Sequence, residues 1–244
     1  MNLIRVLING FKGRMGREAA KAIRESEDLD LVAQTDLNDD LANVIELSKP
    51  QVVLDFTTAA VAMEVSSTII HSGVHPVIGT SGLLPEQVDE LKKLCKKQKL
   101  GGIIAPNFAI GAVLMMKFSQ EAAKYFSHSE IVELHHNSKY DAPSGTAIKT
   151  ANLIADERQR VSEKITEREI ISGARGANAD GTRIHSIRLP GLVAHQEVLF
   201  GGKSQTLKIR HDSTHRESFM PGVCLACKRV TKLKELVYGL ENLL

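Results

Sequence analysis

Residues 133–147 bring groups suited to proton transfer into one short stretch. His135 and His136 titrate near neutral pH, and Lys139 becomes a usable acid when it is desolvated or lies near other cations. Successive residues of a strand point to opposite faces, so a regular strand would give the two histidines different partners. One histidine is therefore expected to face the reacting atom and the other a ligand or a structural partner.

The same stretch ends in the run Pro143-Ser144-Gly145-Thr146, which is typical of a helix start. A serine cap, a glycine that permits close approach and several free N–H groups make such a start an anion site, here suited to a carboxylate. Taken alone, the histidines are more typical of surface or core positions. Joined to Lys139 and this turn, they predict an active site.

A second candidate site is the run Gly10-Phe11-Lys12-Gly13-Arg14-Met15-Gly16, which carries Lys12 where the usual G-x-G-x-x-G has its second glycine. The run follows a strand pattern, opens a helix and is followed by Asp36 at the end of the next apolar run. Glycines there let the backbone approach a pyrophosphate, and Asp36 would accept hydrogen bonds from the adenosine ribose. The context predicts a dinucleotide site; the alternative is an ordinary glycine turn.

The type of dinucleotide stays open at this point. Asp36 repels a 2′-phosphate and favours NADH, whereas Lys12 and Arg14 keep NADPH possible, although Leu37 supplies no positive charge. Two further turns, 55–57 and 79–82, follow strand patterns and are expected to add ligand contacts at the carboxyl ends of a parallel sheet.

Alternating strands and helices are expected to position the glycine loop. Apolar runs predict strands at 3–9, 29–35, 52–56, 74–79 and 102–105, and periodic segments predict helices at 16–26, 59–72 and 85–98. This alternation implies right-handed crossovers and a parallel α/β sheet.

Beyond residue 106 the pattern changes to one of α+β type. Helices are predicted at 112–126 and 147–160, and strands at 130–136, 183–189, 194–200 and 205–211, with a polar stretch at 172–183. Successive strands suggest an antiparallel or mixed sheet. A last helix, 221–233, is expected to pack on the first domain, which gives domains of 1–106 with 217–244 and of 107–216.

Charge and composition exclude several classes of protein. The 31 basic and 29 acidic residues give a net charge of +2 and are interspersed, so neither nucleic acid nor a membrane surface is an expected partner. No apolar run approaches the roughly 18 residues of a membrane span, and no signal peptide precedes the first strand, so a cytoplasmic location is expected.

Cysteines and histidines give no metal site. Cys95, Cys224 and Cys227 are too few for a disulfide framework, and the Cys224/Cys227 pair is more typical of a helix core than of a redox or metal motif. The histidines show no metal-ligand spacing, so no metal is expected. Arg216, in a polar cluster, either contacts an anion or belongs to a solvated loop.

Taken together, these segments resemble the 4-hydroxy-tetrahydrodipicolinate reductase family, also called dihydrodipicolinate reductases. The run HHNSKYDAPSGTA at 135–147 is the most specific of them. The others are GFKGRMG at 10–16, DFT at 55–57, GTSG at 79–82, APNFAIG at 105–111, RLPGLVAHQEVLFG at 188–201 and RHDSTHRESF at 210–219.

The resemblance implies a Rossmann-type domain made of both chain ends and a central domain that binds substrate and forms a homotetramer. It implies reduction of 4-hydroxy-tetrahydrodipicolinate, a small dicarboxylate, to tetrahydrodipicolinate with NADH or NADPH, in diaminopimelate and lysine biosynthesis. His135 would be the acid/base and Lys139 the proton donor. The substrate carboxylates would be bound by His136, Lys139, Ser144, Gly145 and Thr146.

The cofactor contacts implied by the resemblance are Gly10, Arg14, Met15, Asp36, Gly79, Thr80, Pro106, Asn107 and Phe108. The motif positions add Lys12, Gly13, Gly16, Phe56 and Thr57. Leu37 departs from those members that carry a basic residue there for the 2′-phosphate. Two alternatives remain: another two-domain dehydrogenase acting on an amino or sugar acid, and a nicotinamide-sensing binding protein, against which His135 and Lys139 speak.

Overall fold

The computed structural model describes residues 3–80, 82–158 and 168–244. The chain forms two compact units, Met1–Ile110 with Arg216–Leu244 and Gly111–His215. Their borders lie at 110 and 216 instead of the predicted 106 and 217. The reason lies in Phe108, which is 3% exposed and meets the ring of Phe56 edge-on at 5.9 Å, so that its segment packs with the first unit.

The first unit alternates strands and helices. Its elements are β1 (Ile4–Asn9), α1 (Arg14–Arg24), β2 (Leu29–Thr35), α2 (Leu41–Ser48), β3 (Val52–Asp55), α3 (Ala59–His71), β4 (His75–Ile78), α4 (Pro85–Gln98), β5 (Gly102–Ile104), α7 (Met220–Val230) and β11 (Leu236–Tyr238). Short 3₁₀ helices lie at Arg216–Phe219 and Leu240–Asn242.

Six parallel strands make the sheet of this unit, in the order β11-β5-β4-β3-β1-β2. The chain leaves β1 toward β2 on one side and later returns to β3 on the other, so the direction of winding reverses between β1 and β3. Crevices for ligands form at such a reversal, beyond the carboxyl ends of the strands. The loops after β1 and β3 contain Gly10 and Phe56, which the sequence predicted as cofactor contacts.

Burial explains why these strands read as continuous apolar runs. Residues 52–55 of β3 are all buried, as are Val6, Leu7 and Ile8 of β1. A parallel sheet covered by helices on both faces needs apolar side chains in both directions. Packed against the sheet are Ile69 of α3 and Leu91 of α4, both fully buried.

Two elements of this unit escaped prediction. Helix α2 has eight residues, of which only Ile45 is buried, so its apolar periodicity is weak. Its N-cap residue is Asp40, whose carboxylate accepts the N–H of Asn43 at 3.1 Å. Strand β11 has three residues and lies at the sheet edge beside β5. The last predicted helix does pack in this unit, as α7, although it ends at Val230 instead of 233.

The second unit contains a five-stranded mixed sheet, in the order β10-β9-β6-β8-β7. Strands β6 and β8 are parallel, and the other neighbours are antiparallel. Its elements are α5 (Ile110–Ala123), β6 (His128–His135), α6 (Gly145–Glu157), β7 (Ala177–Ala179), β8 (Thr182–Arg188), β9 (Ala194–Gly202) and β10 (Gln205–Ser213). The predicted fold class, a Rossmann-type parallel sheet plus an α+β unit with a mixed sheet, is confirmed.

Alternating burial along β6 gives this sheet two different faces. Ser129, Ile131 and Glu133 are buried, while the residues between them are half-buried. Helix α6 covers the buried face: Thr150 of α6 is fully buried and accepts a hydrogen bond from Gln196 of β9 at 2.8 Å. The predicted end of this helix, residue 160, lies outside the described residues.

Three further expectations concern local segments. The polar stretch at 172–183 contains β7, which turns into β8 through Asp180 and Gly181, both with positive φ. Cys224 and Cys227 lie on α7, and Cys227 is fully buried, as expected for helix-core residues. Among the described residues, no helix has the length and apolar character to cross a membrane.

Candidate functional site

The loop after β1 has room for glycine alone at two positions. Gly10 has a φ of +83°, and a Cβ there would lie 2.7 Å from the carbonyl oxygen of Phe56. A Cβ on Gly16 would lie 2.3 Å from the carbonyl oxygen of Gly10. The loop therefore folds back tightly on the helix that follows, which leaves its backbone open to a ligand.

Helix α1 presents unpartnered N–H groups at this loop. It begins at Arg14, and its N-cap residue, Gly13, has no side chain that could accept a hydrogen bond from the first turn. The N–H groups of the first turn have no acceptor within the helix, and the helix dipole adds positive potential at the same point. Met15 is half-buried there, while Lys12 and Arg14 are exposed. The arrangement fits a pyrophosphate.

Asp36, directly after β2, is tied to the glycine loop. Its carboxylate accepts the backbone N–H of Lys12 and that of Leu37, both at 2.9 Å. The bond from Leu37, followed by that from Lys12, lowers the pKa of Asp36, so the group is ionised at neutral pH. Each carboxylate oxygen keeps a second lone pair for a ribose hydroxyl. Leu37 is 82% exposed.

A cavity of about 750 Å³ lies beside this loop. Its volume falls within the range of small-molecule sites, about 300–1,000 Å³. Asp36, Asp39 and Asp40 give one side of it an acidic character. The remaining wall includes Asn9, Gly10, Gly13, Leu37, Phe56 and Thr57. Cavity, glycine loop and helix terminus together fit the dinucleotide predicted from sequence.

A buried polar network joins four neighbouring strands at this edge of the sheet. Asp55, the last residue of β3, is 0% exposed and accepts hydrogen bonds from Asn9 at 2.9 Å, Thr57 at 3.0 Å and Thr80 at 2.7 Å. Thr35 of β2 donates to Asn9 at 2.9 Å. Burial raises the pKa of Asp55, and the three donors offset part of that rise. The network fixes the ends of the strands that border the cavity.

The remaining predicted cofactor residues gather at the ends of β3, β4 and β5. Gly79 allows two aromatic rings to meet, since a Cβ there would lie 2.2 Å from Phe56 and 2.9 Å from Phe108. Asn107 accepts the N–H of Ala109 at 2.9 Å and so shapes the turn after β5. Pro106 is exposed beside it. Thr80 is held by Asp55, as described above.

In the second unit, His135 ends β6 and is paired with a buried carboxylate. Its Nδ1 lies 2.5 Å from Oε2 of Glu133, two residues earlier on the same face of the strand. Arg188, opposite His135 on β8, donates to both carboxylate oxygens of Glu133, at 3.0 and 2.8 Å. Burial alone would raise the pKa of Glu133, but the bonds from His135 and Arg188 outweigh it and hold the pKa at about 2.

His136 and Lys139 lie in the loop after β6. His136 no longer belongs to the strand, and its Nδ1 lies 2.8 Å from Oγ of Ser138. The ammonium group of Lys139 contacts both carboxylate oxygens of Asp141, at 2.6 and 2.7 Å. This bond lowers the pKa of Asp141. Lys139 is thus a fixed cation, 22% exposed, in the same loop as His136.

The helix start that was predicted as a carboxylate site is the N-terminus of α6. Ser144 is its N-cap and is 3% exposed; its hydroxyl accepts the N–H of Ala147 at 3.2 Å. Gly145 is exposed, and a Cβ there would meet nothing within 4 Å. Thr146 follows, half-buried. Gly145, the first residue of this 13-residue helix, therefore leaves open space beside the first turn.

Four residues of these sites were given no individual role from the sequence: Asp55, Glu133, Asp141 and Arg188. Asp55 lies in the turn 55–57, which was expected to contact a ligand, and Glu133 lies in the stretch 133–147. Glu133 carried a signal, because an acid two residues before His135 shares its face in a strand. Asp141 lay within the motif at 135–147. Arg188 gave no local signal, since it is 53 positions from His135 in sequence and becomes its neighbour only through the pairing of β6 with β8.

Comparisons with known proteins agree over the whole chain. A family model described as dihydrodipicolinate reductase, N-terminus, matches residues 4–108, and the corresponding C-terminus model matches 111–244. The 4-hydroxy-tetrahydrodipicolinate reductase of Streptococcus pneumoniae (strain Hungary19A-6) is 52% identical over 99% of both chains. The enzyme of that name from Listeria monocytogenes (serotype 4b, strain F2365) is 49% identical over 99% of this chain and 100% of its own.

A solved structure also matches the full length. It is a dipicolinate-bound dihydrodipicolinate reductase from Paenisporosarcina sp. TG-14, with 45% sequence identity and a TM-score of 0.91. The match covers 100% of each chain.

Proposed function

Since the chain belongs to the dihydrodipicolinate reductase family, we propose that it reduces 4-hydroxy-tetrahydrodipicolinate to tetrahydrodipicolinate, a step of diaminopimelate and lysine biosynthesis. The observation that carries the proposal is the segment 135–147, which places His135, Lys139 and the open N-terminus of α6 within one strand, loop and helix start. A generic dehydrogenase would not be expected to share this run.

The family's reductases use a nicotinamide cofactor, which the first unit would hold. The pyrophosphate would lie at Gly10, Gly13 and the N-terminus of α1, with the ribose at Asp36. When bound, the reduced nicotinamide supplies the hydride. A substrate that takes a hydride at carbon also needs one proton, and the chain's own residues provide it.

His135 and Lys139 are the proposed source of that proton. His135 exchanges a proton at Nε2, since Nδ1 faces the carboxylate of Glu133. Lys139 is ion-paired with Asp141. When Asp141 pairs with solvent or with another donor instead, the ammonium group of Lys139 becomes free to contact a substrate carboxylate. Such acid groups typically contribute about 10²- to 10⁴-fold to the rate.

The substrate's two carboxylates require cations and N–H donors. His136, Lys139 and the first turn of α6 at Ser144, Gly145 and Thr146 supply them in one loop. Charge-assisted hydrogen bonds of this kind are shorter and about twice as strong as neutral ones. The dipicolinate in the Paenisporosarcina structure, a planar dicarboxylate, supports this choice of ligand class.

The test removes each acid in turn. We expect His135→Gln and Lys139→Ala each to lower kcat by at least 100-fold, while the Kd for NADH stays within about twofold. Turnover is followed by loss of NADH absorbance, with substrate generated by the preceding aldol enzyme. The matched controls His71→Gln, on the surface of α3, and Lys124→Ala, exposed beside Glu121, should keep wild-type kcat. Normal activity in both active-site variants would overturn the assignment.

For the cofactor, we propose that NADH is preferred and NADPH is also used. Asp36, Asp39 and Asp40 place negative charge on one side of the cavity, which disfavours a 2′-phosphate, while Lys12 and Arg14 offset part of it. Leu37→Arg adds a cation at an exposed position, so we expect kcat/KM for NADPH relative to NADH to rise about tenfold. Leu47→Arg, exposed on α2, serves as the control and should leave the ratio unchanged.

We propose that the chain forms a homotetramer through the central unit. We also propose that it acts in the cytoplasm, where NADH and NADPH are available. The support is the half-buried face of the five-stranded sheet, in which the long strand β10 remains largely exposed. Sedimentation equilibrium should give four times the 26.7 kDa mass of the chain. A monomer at micromolar concentration would contradict the assembly without touching the proposed reaction.

A further inference from the structure

Glu133 occupies an unusual position for a carboxylate. It is 0% exposed, in the central strand of the five-stranded sheet, under helix α6. An ionised carboxylate is rarely buried unless it is paired. Its nearest partner, Nδ1 of His135 at 2.5 Å, belongs to the residue proposed to transfer a proton in the reaction.

The other donors around Glu133 all favour its charged form. Arg188 bonds to both oxygens, and the backbone N–H of Ser144 lies 3.3 Å from Oε1. Arg188 also donates to the carbonyl oxygen of Asp141 at 2.8 Å, which ties the loop after β6 to the same group. With its pKa at about 2, Glu133 is ionised throughout the neutral range.

An ionised carboxylate only accepts hydrogen bonds, so Nδ1 of His135 must carry the proton between them. The neutral ring is then restricted to one tautomer, with Nε2 as the atom that gains and loses a proton. In the part of the chain that the structure describes, Nε2 of His135 makes no hydrogen bond. The pair thus presents a single exchangeable position.

We propose that Glu133 is a positioning residue for the reduction: it fixes the tautomer of His135 and stabilises the protonated ring, and Arg188 keeps Glu133 charged. In the step, the Nε2–H bond of protonated His135 breaks and its proton forms the new bond to the hydride-reduced substrate. The Nδ1–H···Glu133 hydrogen bond persists, and the ring returns to its neutral form. This inference rests on the proposed function.

The charged groups around the pair come from three elements. Glu133 and Arg188 lie on β6 and β8, and the loop after β6 adds Lys139 paired with Asp141. From β9, the residues opposite are the uncharged Ala194 and Gln196. Glu133 is therefore the anion in direct contact with the ring, and its removal should make the protonated ring less stable.

Glu133→Gln tests the role with little change in shape. The amide also presents an N–H₂ group that can donate to Nδ1 and select the wrong tautomer. We expect kcat to fall about 100-fold, with KM and the Kd for NADH within about twofold.

The matched control is Glu130→Gln. Glu130 lies on the same strand but on the opposite face, and it too pairs with an arginine and a histidine, Arg175 and His185 at 2.5 and 2.8 Å. This variant should keep wild-type kcat and KM. A similar loss in both variants would show a general effect on the sheet and would overturn the proposal.

A second readout needs no turnover. In ¹⁵N-labelled protein, the side chain of His135 should show a protonated Nδ1 and a bare Nε2 at high pH, and a mixture of tautomers in Glu133→Gln. Thermal unfolding of each variant checks that it is folded. If wild type oxidises NADH and Glu133→Gln retains both its rate and tautomer, this inference fails alone; if wild type oxidises neither cofactor, the proposed function fails.

Discussion

Asp55, the last residue of β3, and Glu133, within β6, are both fully buried carboxylates, one in each unit, yet their surroundings shift their pKa values in opposite directions. Asp55 is bonded by two hydroxyls and an amide, all neutral, and burial raises its pKa. Glu133 meets a guanidinium and an imidazole, and its pKa is held at about 2. Equal burial therefore does not determine the direction in which the pKa of a carboxyl group shifts; the charge of its donors does.

This difference in donors corresponds to a difference in the role that each carboxylate can play. Neutral donors from β1 and from the loops after β3 and β4 let Asp55 hold these strand ends together. Glu133, which is ionised at neutral pH, instead contacts the imidazole of His135 directly. We infer that the first unit uses its buried carboxylate to fix strand ends, whereas the second unit uses its own to position His135.

The largest effect on the free energy of unfolding should come from removing Arg188, the cation that is paired with Glu133. Arg188→Met leaves Glu133 buried without its guanidinium partner, and breaking a buried ion pair in this way typically costs about 3–5 kcal/mol. Urea unfolding should show the loss at neutral pH. Arg175→Met, which breaks the half-exposed pair with Glu130, should cost less than about 1 kcal/mol. Equal losses of stability in Arg188→Met and Arg175→Met would contradict the expected difference between the Glu133 pair and the Glu130 pair.

A smaller effect is expected at Asp55. Asp55→Asn replaces one accepting oxygen by an N–H₂ group that faces the hydroxyls of Thr57 and Thr80, so at least one hydrogen bond is lost. Leaving a buried polar group unsatisfied typically costs about 1–3 kcal/mol, which urea unfolding would measure. We also expect a several-fold weaker Kd for NADH. Asp89→Asn, exposed on α4, is the control and should change neither quantity.

Much of this architecture could be predicted from patterns that are local in sequence. The strand, glycine loop and helix of residues 4–24 form a contiguous unit, and the apolar runs of β1 and β3 are long because both faces of a parallel sheet are buried. The segment 135–147 likewise contains its own strand end and helix cap. The family resemblance drawn from these segments is confirmed by the comparisons.

What escaped prediction depends on pairing between distant segments or on weak local signals. Arg188 reaches Glu133 only because β8 lies beside β6, a register that no local pattern specifies. In the sequence, Asp55 appeared only as part of a turn. Its hydrogen bonds come from Asn9 at the end of β1 and from Thr80 in the loop after β4, which are distant in sequence. Three-residue strands such as β7 and β11 are too short to show a period.

The smallest effect, and the one that separates the two carboxylates by sign, is the dependence of stability on pH. A lowered pKa means that Glu133 stabilises the fold fully above about pH 4.5 and loses this contribution as pH falls toward 2. A raised pKa means the reverse for Asp55: its carboxyl group favours the fold most below about pH 3.8 and less as pH rises. Between pH 7 and 4, the stability of wild type relative to Glu133→Gln should therefore shrink, by less than about 1 kcal/mol. Relative to Asp55→Asn it should grow. Urea unfolding at both pH values checks the two slopes, and slopes of the same sign would mean that the pKa values of the two buried groups shift in the same direction on folding.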